Sequence, residues 1–236
     1  SIALEVGDEL PPSDVIVLAV RDEAITPVAA ALAGSAARCR AVVHVSGLAP
    51  VAALAPLAGV DLATGSFHPL QTLPTPEAGA ARLAGAWIAI TTDVPALRER
   101  LEALAGSIGA HPFPLAEAAK ATYHAGAAAA ANFPLAALTM ASDLFERAGV
   151  PWAAARQLVE AVVANAFELG PRAALTGPVA RGDVATVAGQ FDAVHRNAPE
   201  WLPTYAAFVR ELARLTGRGD AFDDLIAGWR ASPGGA

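Results

Sequence analysis

The sequence predicts an α/β Rossmann-type parallel sheet over residues 1–114, followed by an all-helical region over residues 115–231. Three observations carry that prediction. Short β-branched runs alternate with helical stretches as far as Pro114. No strand-like run follows Pro114. Alanine makes up about a quarter of the 236 residues and favours closely packed helices.

The elements follow in order. The unbroken apolar run within Asp14 to Val20 fits a strand covered on both faces, and Asp22 to Leu32 a helix after it. Ala41 to Val45 is a second strand, Ala63 to Phe67 a third, Ala86 to Ile90 a fourth and His111 to Leu115 a last one. Between the last two, Asp93 to Ile108 reads as a helix with Asp93 placed as its cap. Leu115 to Ala148 reads as one long helix bent at Pro134, which lacks the backbone N–H. Helices over Pro151 to Leu169, Asp183 to His195, Trp201 to Thr216 and Asp220 to Trp229 complete the second part. No strand, Gly-x-Gly-x-x-Gly, helix unit occurs, so the expected sheet lacks its first βαβ portion in this chain.

Composition narrows the function classes. With 54% hydrophobic and 17% charged residues the chain is a folding one, not a disordered one. A net charge of −7 argues against nucleic acid as a partner, because phosphate neutralisation needs a basic surface. The single cysteine, Cys39, excludes an internal disulfide and a multi-cysteine metal centre, so no metal is expected and a reducing cytoplasm fits. No charged-then-apolar leader opens the chain. The longest apolar run, Ala125 to Met140, is mostly alanine and holds Asn132 and Pro134, which does not suit a membrane span.

The first candidate site lies at the carboxyl ends of the strands, where α/β sheets place ligands. Val20, Arg21 and Asp22 close the first strand; His44, Ser46 and Gly47 close the second; Gly65, His68, Pro69 and Gln71 surround the end of the third. Small and hydrogen-bonding residues there let a nucleotide lie close to the backbone, with Ser46 and His68 toward substrate. Ordinary turn chemistry explains the same residues one at a time.

The second candidate is Lys120, the only lysine among 16 basic side chains. Lysine, unlike arginine, exchanges a proton near neutral pH when desolvated, so the exception invites a chemical reason. His124 stands four residues on and Asn132 eight beyond it, so all three lie near one stripe of a helix coated by Gly126 and alanines. A cleft against the α/β part would give these groups a ligand; a solvated Lys120 on a bundle helix is the plainer alternative. The third candidate is the segment Leu175 to Asp183, where Arg181 clamps a carboxylate or braces Asp183.

Together, His44-x-Ser46-Gly47, Gly65-x-x-His68-Pro69-x-Gln71, Lys120-x-x-Tyr123-His124 and Leu175-Thr176-Gly177-Pro178-x-x-Arg181-Gly182-Asp183 resemble a known family. It comprises the Rossmann-like oxidoreductases with a C-terminal helical domain of uncharacterised function. They fall in the 6-phosphogluconate dehydrogenase-like group, and some members resemble ketopantoate reductase. The resemblance implies hydride transfer with NADP or NAD to a small substrate such as a 2-oxo acid, in a homodimer. It assigns a catalytic Lys and Asn to the first long helix of the helical domain. Lys120 and Asn132 match in type but stand further apart than one turn, which makes His124 a substitute. On this expectation Lys120 polarises the carbonyl and gives the proton, Ser46 and Asn132 position substrate, and Arg181 holds its carboxylate. Val20, Arg21, Asp22, His44, Ser46 and Gly47 border the cofactor. The alternatives are a reductase acting on an imine or a deazaflavin, and a non-catalytic dimer that binds a small molecule.

Overall fold

The computed structural model describes residues 3, 5, 11–34, 39–58 and 62–230. The first elements are strand β1 (Ser13–Leu18), helix α1 (Asp22–Leu32), strand β2 (Cys39–His44) and a 3-10 stretch over Val51–Leu57. Strand β3 (Ala63–Leu70), helix α2 (Pro76–Leu83), strand β4 (Trp87–Thr91), helix α3 (Pro95–Ser107) and strand β5 (His111–Pro114) follow. The five strands lie in chain order in one sheet. Three of the four pairings are parallel, as expected of a Rossmann-type sheet, and β3 with β4 is antiparallel, with Phe67 opposite Ile90.

Alternation of side chains along the strands gives the sheet its two covered faces. Val42 points to one face, with Leu18, Ile25, Ala29, Leu54 and Leu57 from α1 and the 3-10 stretch. Ala41 and Val43 point to the other, with Ile88, Ile90 and the α3 residues Leu97, Leu101 and Ala105. Gly65 is required at the antiparallel junction, because a Cβ there would sit 2.7 Å from the Thr91 carbonyl oxygen.

The α3 start differs from expectation. Its cap position is Val94, with no side-chain cap bond, and Asp93 does not serve. Thr92 organises the turn instead: its hydroxyl donates to the Thr64 carbonyl at 2.8 Å and accepts from Val94 N at 3.2 Å. Pro95 then fits the first helical turn, where no N–H partner exists. Helix α2 was not anticipated, although Thr75 and Pro76 are a helix-start pair and Thr75 Oγ1 accepts from Ala78 N at 3.3 Å.

The long helix expected over residues 115–148 is two helices, α4 (Lys120–Ala131) and α5 (Phe133–Arg147). The interruption falls at Asn132, so Pro134 sits in the first turn of α5, where its missing N–H costs nothing. The chain divides into two compact units between Phe133 and Pro134. The strands end at Pro114, yet α4 belongs with the sheet.

The second unit is helical: α5, then α6 (Arg156–Leu169), α7 (Gly177–Arg181), α8 (Val184–Asn197), α9 (Leu202–Leu215) and α10 (Gly219–Arg230). Its core joins Val187, Phe191 and Val194 of α8 to Val209 of α9 and to Phe222 and Ile226 of α10. Phe191 packs edge-on to Tyr205 and stacks on Trp229. The segment before Asp183 contains the short helix α7. Gly182 in left-handed conformation ends it, and Asp183 caps α8 by accepting from Thr186 N at 3.0 Å.

Candidate active site

The strand ends and α4 converge within the first unit. Lys120 opens α4 with no more than 2% of its surface exposed. Its Nζ donates to Ser66 Oγ on β3 at 2.8 Å and to the Ser46 carbonyl after β2 at 3.3 Å. An ammonium out of water is costly unless its hydrogens are taken up, and these two oxygens take up two of three. Burial holds its pKa below the ordinary 10.5, and Glu117 and Asp22 oppose that shift through their negative charge.

Ser46 secures the turn on which Lys120 leans. Its Oγ donates to Asp22 Oδ2 at 2.8 Å and accepts from Leu48 N at 3.1 Å and Ala49 N at 2.8 Å. A hydroxyl offers one donor and two acceptor positions, so this one is saturated and leaves nothing for a substrate. Across the same turn, Glu117 Oε1 accepts from Val51 N at 3.1 Å.

Two histidines flank the lysine. His44, at the end of β2, is fully buried. Its Nδ1 accepts from Ser46 N at 3.2 Å, which assigns the proton to Nε2. That buried Nε2 has no well-formed hydrogen bond among the described residues, the Pro50 carbonyl being at most a weak partner. Burial, then the Lys120 charge, lower the His44 pKa to about 4. His68, on β3, lies half-buried with Nδ1 2.7 Å from the Tyr123 hydroxyl of α4. Burial and then the neighbouring His124 and Lys120 lower the His68 pKa to about 4, while burial pushes Tyr123 up to about 12.

Gly47 lets the rings gather. A Cβ on it would meet His68 Cε1 and Nε2 at 2.8 Å and His124 Cδ2 at 3.0 Å. The His68 and His124 ring centres are 6.4 Å apart.

Of the residues singled out from the sequence, Asp22, His44, Ser46, Gly47, His68, Lys120 and His124 therefore meet in one cluster. Others stand apart from it. Val20 packs on the α1 core, and Arg21 is exposed, 3.8 Å from Glu23. Asn132 is exposed at the end of α4, its backbone N donating to the Ala128 carbonyl at 2.8 Å. Arg181 is exposed on α7 in the helical unit, where its charge adds to the Thr186 hydrogen bonds that lower the Asp183 pKa. Ser66 and Tyr123 were not singled out as site residues. The signal was present for both, since Ser66 follows Gly65 and Tyr123 stands three residues after the lone lysine on one helix face.

No helix among the described residues is long and apolar enough to cross a membrane. Among them, no three His, Cys, Asp or Glu side chains group as metal ligands would.

A mostly parallel sheet with a polar cluster at its strand ends, followed by a separate helical unit, defines a two-unit Rossmann-like protein. Residues 86–212, more than half of the chain, match a domain of unknown function, DUF2520, and the chain belongs to that family. Several solved structures share the fold. A Bacteroides fragilis protein assigned as an NADP oxidoreductase superposes with a TM-score of 0.73 at 19% identity, over 87% of this chain and 78% of its own. A Thermotoga maritima protein does so with a TM-score of 0.69 at 22% identity, over 90% and 81%. The pyrroline carboxylate reductase of Plasmodium falciparum, solved with NADP bound, gives 0.55 at 12% identity, over 87% and 77%. No curated protein matches the sequence.

The two depressed imidazoles set a pH signature. Both fall from 6.5 to about 4, so between those values the unfolded chain binds protons that the folded chain refuses. Their stabilising effect is complete above pH 6.5 and is lost as the pH falls toward 4. The lowered carboxylates, Asp183, Glu200 and Glu211, act only below their ordinary 3.8, 4.5 and 4.5. The thermal midpoint should therefore drop by at least about 3 °C from pH 7.5 to pH 5, and His44→Gln should flatten that slope. A midpoint unchanged across this interval contradicts the buried neutral pair.

Proposed function

We propose that the protein is an NADP-dependent oxidoreductase that reduces a small oxo or imino acid. The observation that carries this reading is Lys120: one ammonium, enclosed by Ser66 and the Ser46 carbonyl, at the carboxyl ends of a Rossmann-like sheet. The fold likeness to a protein assigned as an NADP oxidoreductase and to an NADP-bound reductase supports the cofactor class. NAD is the close variant. A ketopantoate-like 2-oxo acid is the substrate that the sequence resemblance favours, and a cyclic imino acid is the one that the pyrroline carboxylate reductase likeness favours.

The donor set fits one end of such a cofactor. Among the described residues no glycine-rich turn joins a strand to a helix, and the first turn of α1 carries Asp22 and Glu23, which repel a diphosphate. The turn at Ser46 and Gly47, by contrast, gives the close backbone approach and buried polar groups that suit the nicotinamide and its ribose. Asp22 and the turn from His44 to Gly47 would border that end. When bound, the reduced nicotinamide supplies the hydride.

The chain's own residues then manage charge. Negative charge grows on the substrate heteroatom as the carbon is reduced, and a fixed cation in a water-poor site stabilises it without reorganising. Lys120 fills that role. Its nitrogen already donates two hydrogen bonds, so positioning and electrostatic support suit it better than proton delivery. Asp22 holds Ser46, Ser46 holds the turn, and the turn's carbonyl holds Lys120.

A homodimer belongs to the same reading. Helix α6 buries no side chain and exposes Leu158, Val162, Val163 and Phe167, and a second copy is the occupant we assign to that face. Sedimentation should show a dimer that Phe167→Glu converts to monomer; a wild-type monomer at micromolar concentration contradicts it.

Activity is tested with NADPH and a panel of 2-oxo and cyclic imino acids. The wild-type protein should oxidise NADPH with at least one of them. Lys120→Met should cut kcat by roughly 100-fold while NADPH binding, followed by thermal shift, stays close to wild type. Binding with no turnover across the panel favours the deazaflavin or another imine. No shift with either NADPH or NADH favours the non-catalytic small-molecule binder. Unchanged turnover in Lys120→Met removes the lysine from the mechanism.

A further inference from the structure

The reduction proposed above needs a proton as well as a hydride, and the enclosed Lys120 nitrogen is poorly placed to give one. We propose that His68 is the proton donor, with Tyr123 behind it as the positioning and relay group. This inference rests on the reductase reading and adds to it a residue pair and a direction of proton flow.

Three independent features of the geometry support it. Tyr123 Oη lies 2.7 Å from His68 Nδ1, a short contact for a hydroxyl and an imidazole nitrogen. The two rings meet edge-on, with centres 5.5 Å apart and planes at 88°, so the phenol approaches the imidazole in a fixed orientation. The adjoining Cε1–Nε2 edge of His68 lies against Gly47, so close that any Cβ there would collide at 2.8 Å. Tyr123 is thus at one nitrogen, and the strand-end turn assigned to the nicotinamide is at the other.

We take the Tyr123 O–H as donor and His68 Nδ1 as acceptor, because a phenol is the stronger donor and a bare imidazole nitrogen the stronger acceptor. The phenol is protonated throughout the neutral range, since burial raises it to about 12. The imidazole is uncharged, since burial, His124 and Lys120 all disfavour its cation, with only Asp22 opposing them. A neutral imidazole has one N–H. With Tyr123 O–H donating to Nδ1, that N–H is on Nε2 and faces the turn. His124 borders the same glycine and bounds the site on the α4 side.

The step balances. When bound, the reduced nicotinamide would be the two-electron reductant and would supply the hydride for the new C–H bond. The C=O or C=N π pair moves to the heteroatom, which takes the Nε2 proton. The Tyr123 proton passes to Nδ1, so the imidazole changes tautomer and never becomes an anion. After product leaves, a solvent proton enters at Nε2 and the Nδ1 proton returns to the phenolate. One proton is consumed per hydride transferred. Neutral imidazole is competent as an electrophilic donor where its cation is disfavoured.

The test combines tautomer and kinetics. In histidine-selective 15N-labelled protein, with His68 assigned by loss of its signals in His68→Asn, Nε2 should resonate as the protonated nitrogen and Nδ1 as the bare one at pH 7. Tyr123→Phe should relax that preference toward a tautomer mixture. His68→Asn should lower kcat by about 100-fold or more and Tyr123→Phe by about 10-fold, with NADPH binding near wild type in both. A proton on Nδ1, or a His68→Asn protein with wild-type kcat, overturns the inference while leaving the reductase reading intact. A wild-type protein that neither binds nor oxidises NADPH overturns both.

Discussion

The site depends on keeping one ammonium out of water. Lys120 can be enclosed only because the Ser66 hydroxyl reaches it from β3 and the Ser46 carbonyl from the turn after β2, at 2.8 and 3.3 Å. Each of those oxygens is fixed in turn. Ser66 lies within β3, in register with His44 of β2 and Thr91 of β4. The Ser46 turn is fixed by Asp22 and by two backbone amides. A cation so placed also controls its neighbours, since its charge helps to keep His44 and His68 neutral. The imidazoles are held as neutral hydrogen-bonding groups, and not as competing cations.

Two glycines make this arrangement sterically possible. Gly65 allows the antiparallel β3–β4 pairing to close over Thr91, which sets the direction of β3 and hence where Ser66 and His68 fall. Gly47 allows His68 and His124 to pack over the turn after β2. At neither position is the glycine needed for an unusual backbone angle. What each supplies is the absence of a methyl group, and the site occupies that space.

Much of this was legible in the sequence, for identifiable reasons. The strand runs are apolar and β-branched because both sheet faces are covered, so strands and sheet class could be read directly. Lys120 stood out against fifteen arginines, and His124, one helical turn on, followed from helix periodicity. The reversal of β3 against β4 could not be read, because a short connection through α2 does not reveal strand direction. Asp93 was a reasonable cap by residue type, yet Thr92, one position earlier, reached both Thr64 and Val94. Asn132 stands twelve residues after Lys120 on the unbroken α4, about 18 Å along the helix axis and about 120° round it, so it does not reach the lysine's end of the helix. Arg181 belongs to the other compact unit, which no local pattern discloses. The saturation of Ser46 by three partners is likewise a long-range property, set by Asp22 from 24 residues away.

Because the chain contains a single lysine, the enclosed ammonium can be observed by itself. Lysine-selective 15N and 13C labelling gives one side-chain Nζ and one Cε resonance, whose shifts can be followed from neutral to alkaline pH. The expected titration midpoint lies below 10.5, with Nζ protons protected from exchange, and falls further in Ser66→Ala, which takes an acceptor away from the buried ammonium. A midpoint at or above 10.5 with freely exchanging protons would mean that Lys120 is solvated, and the site built around it would not stand.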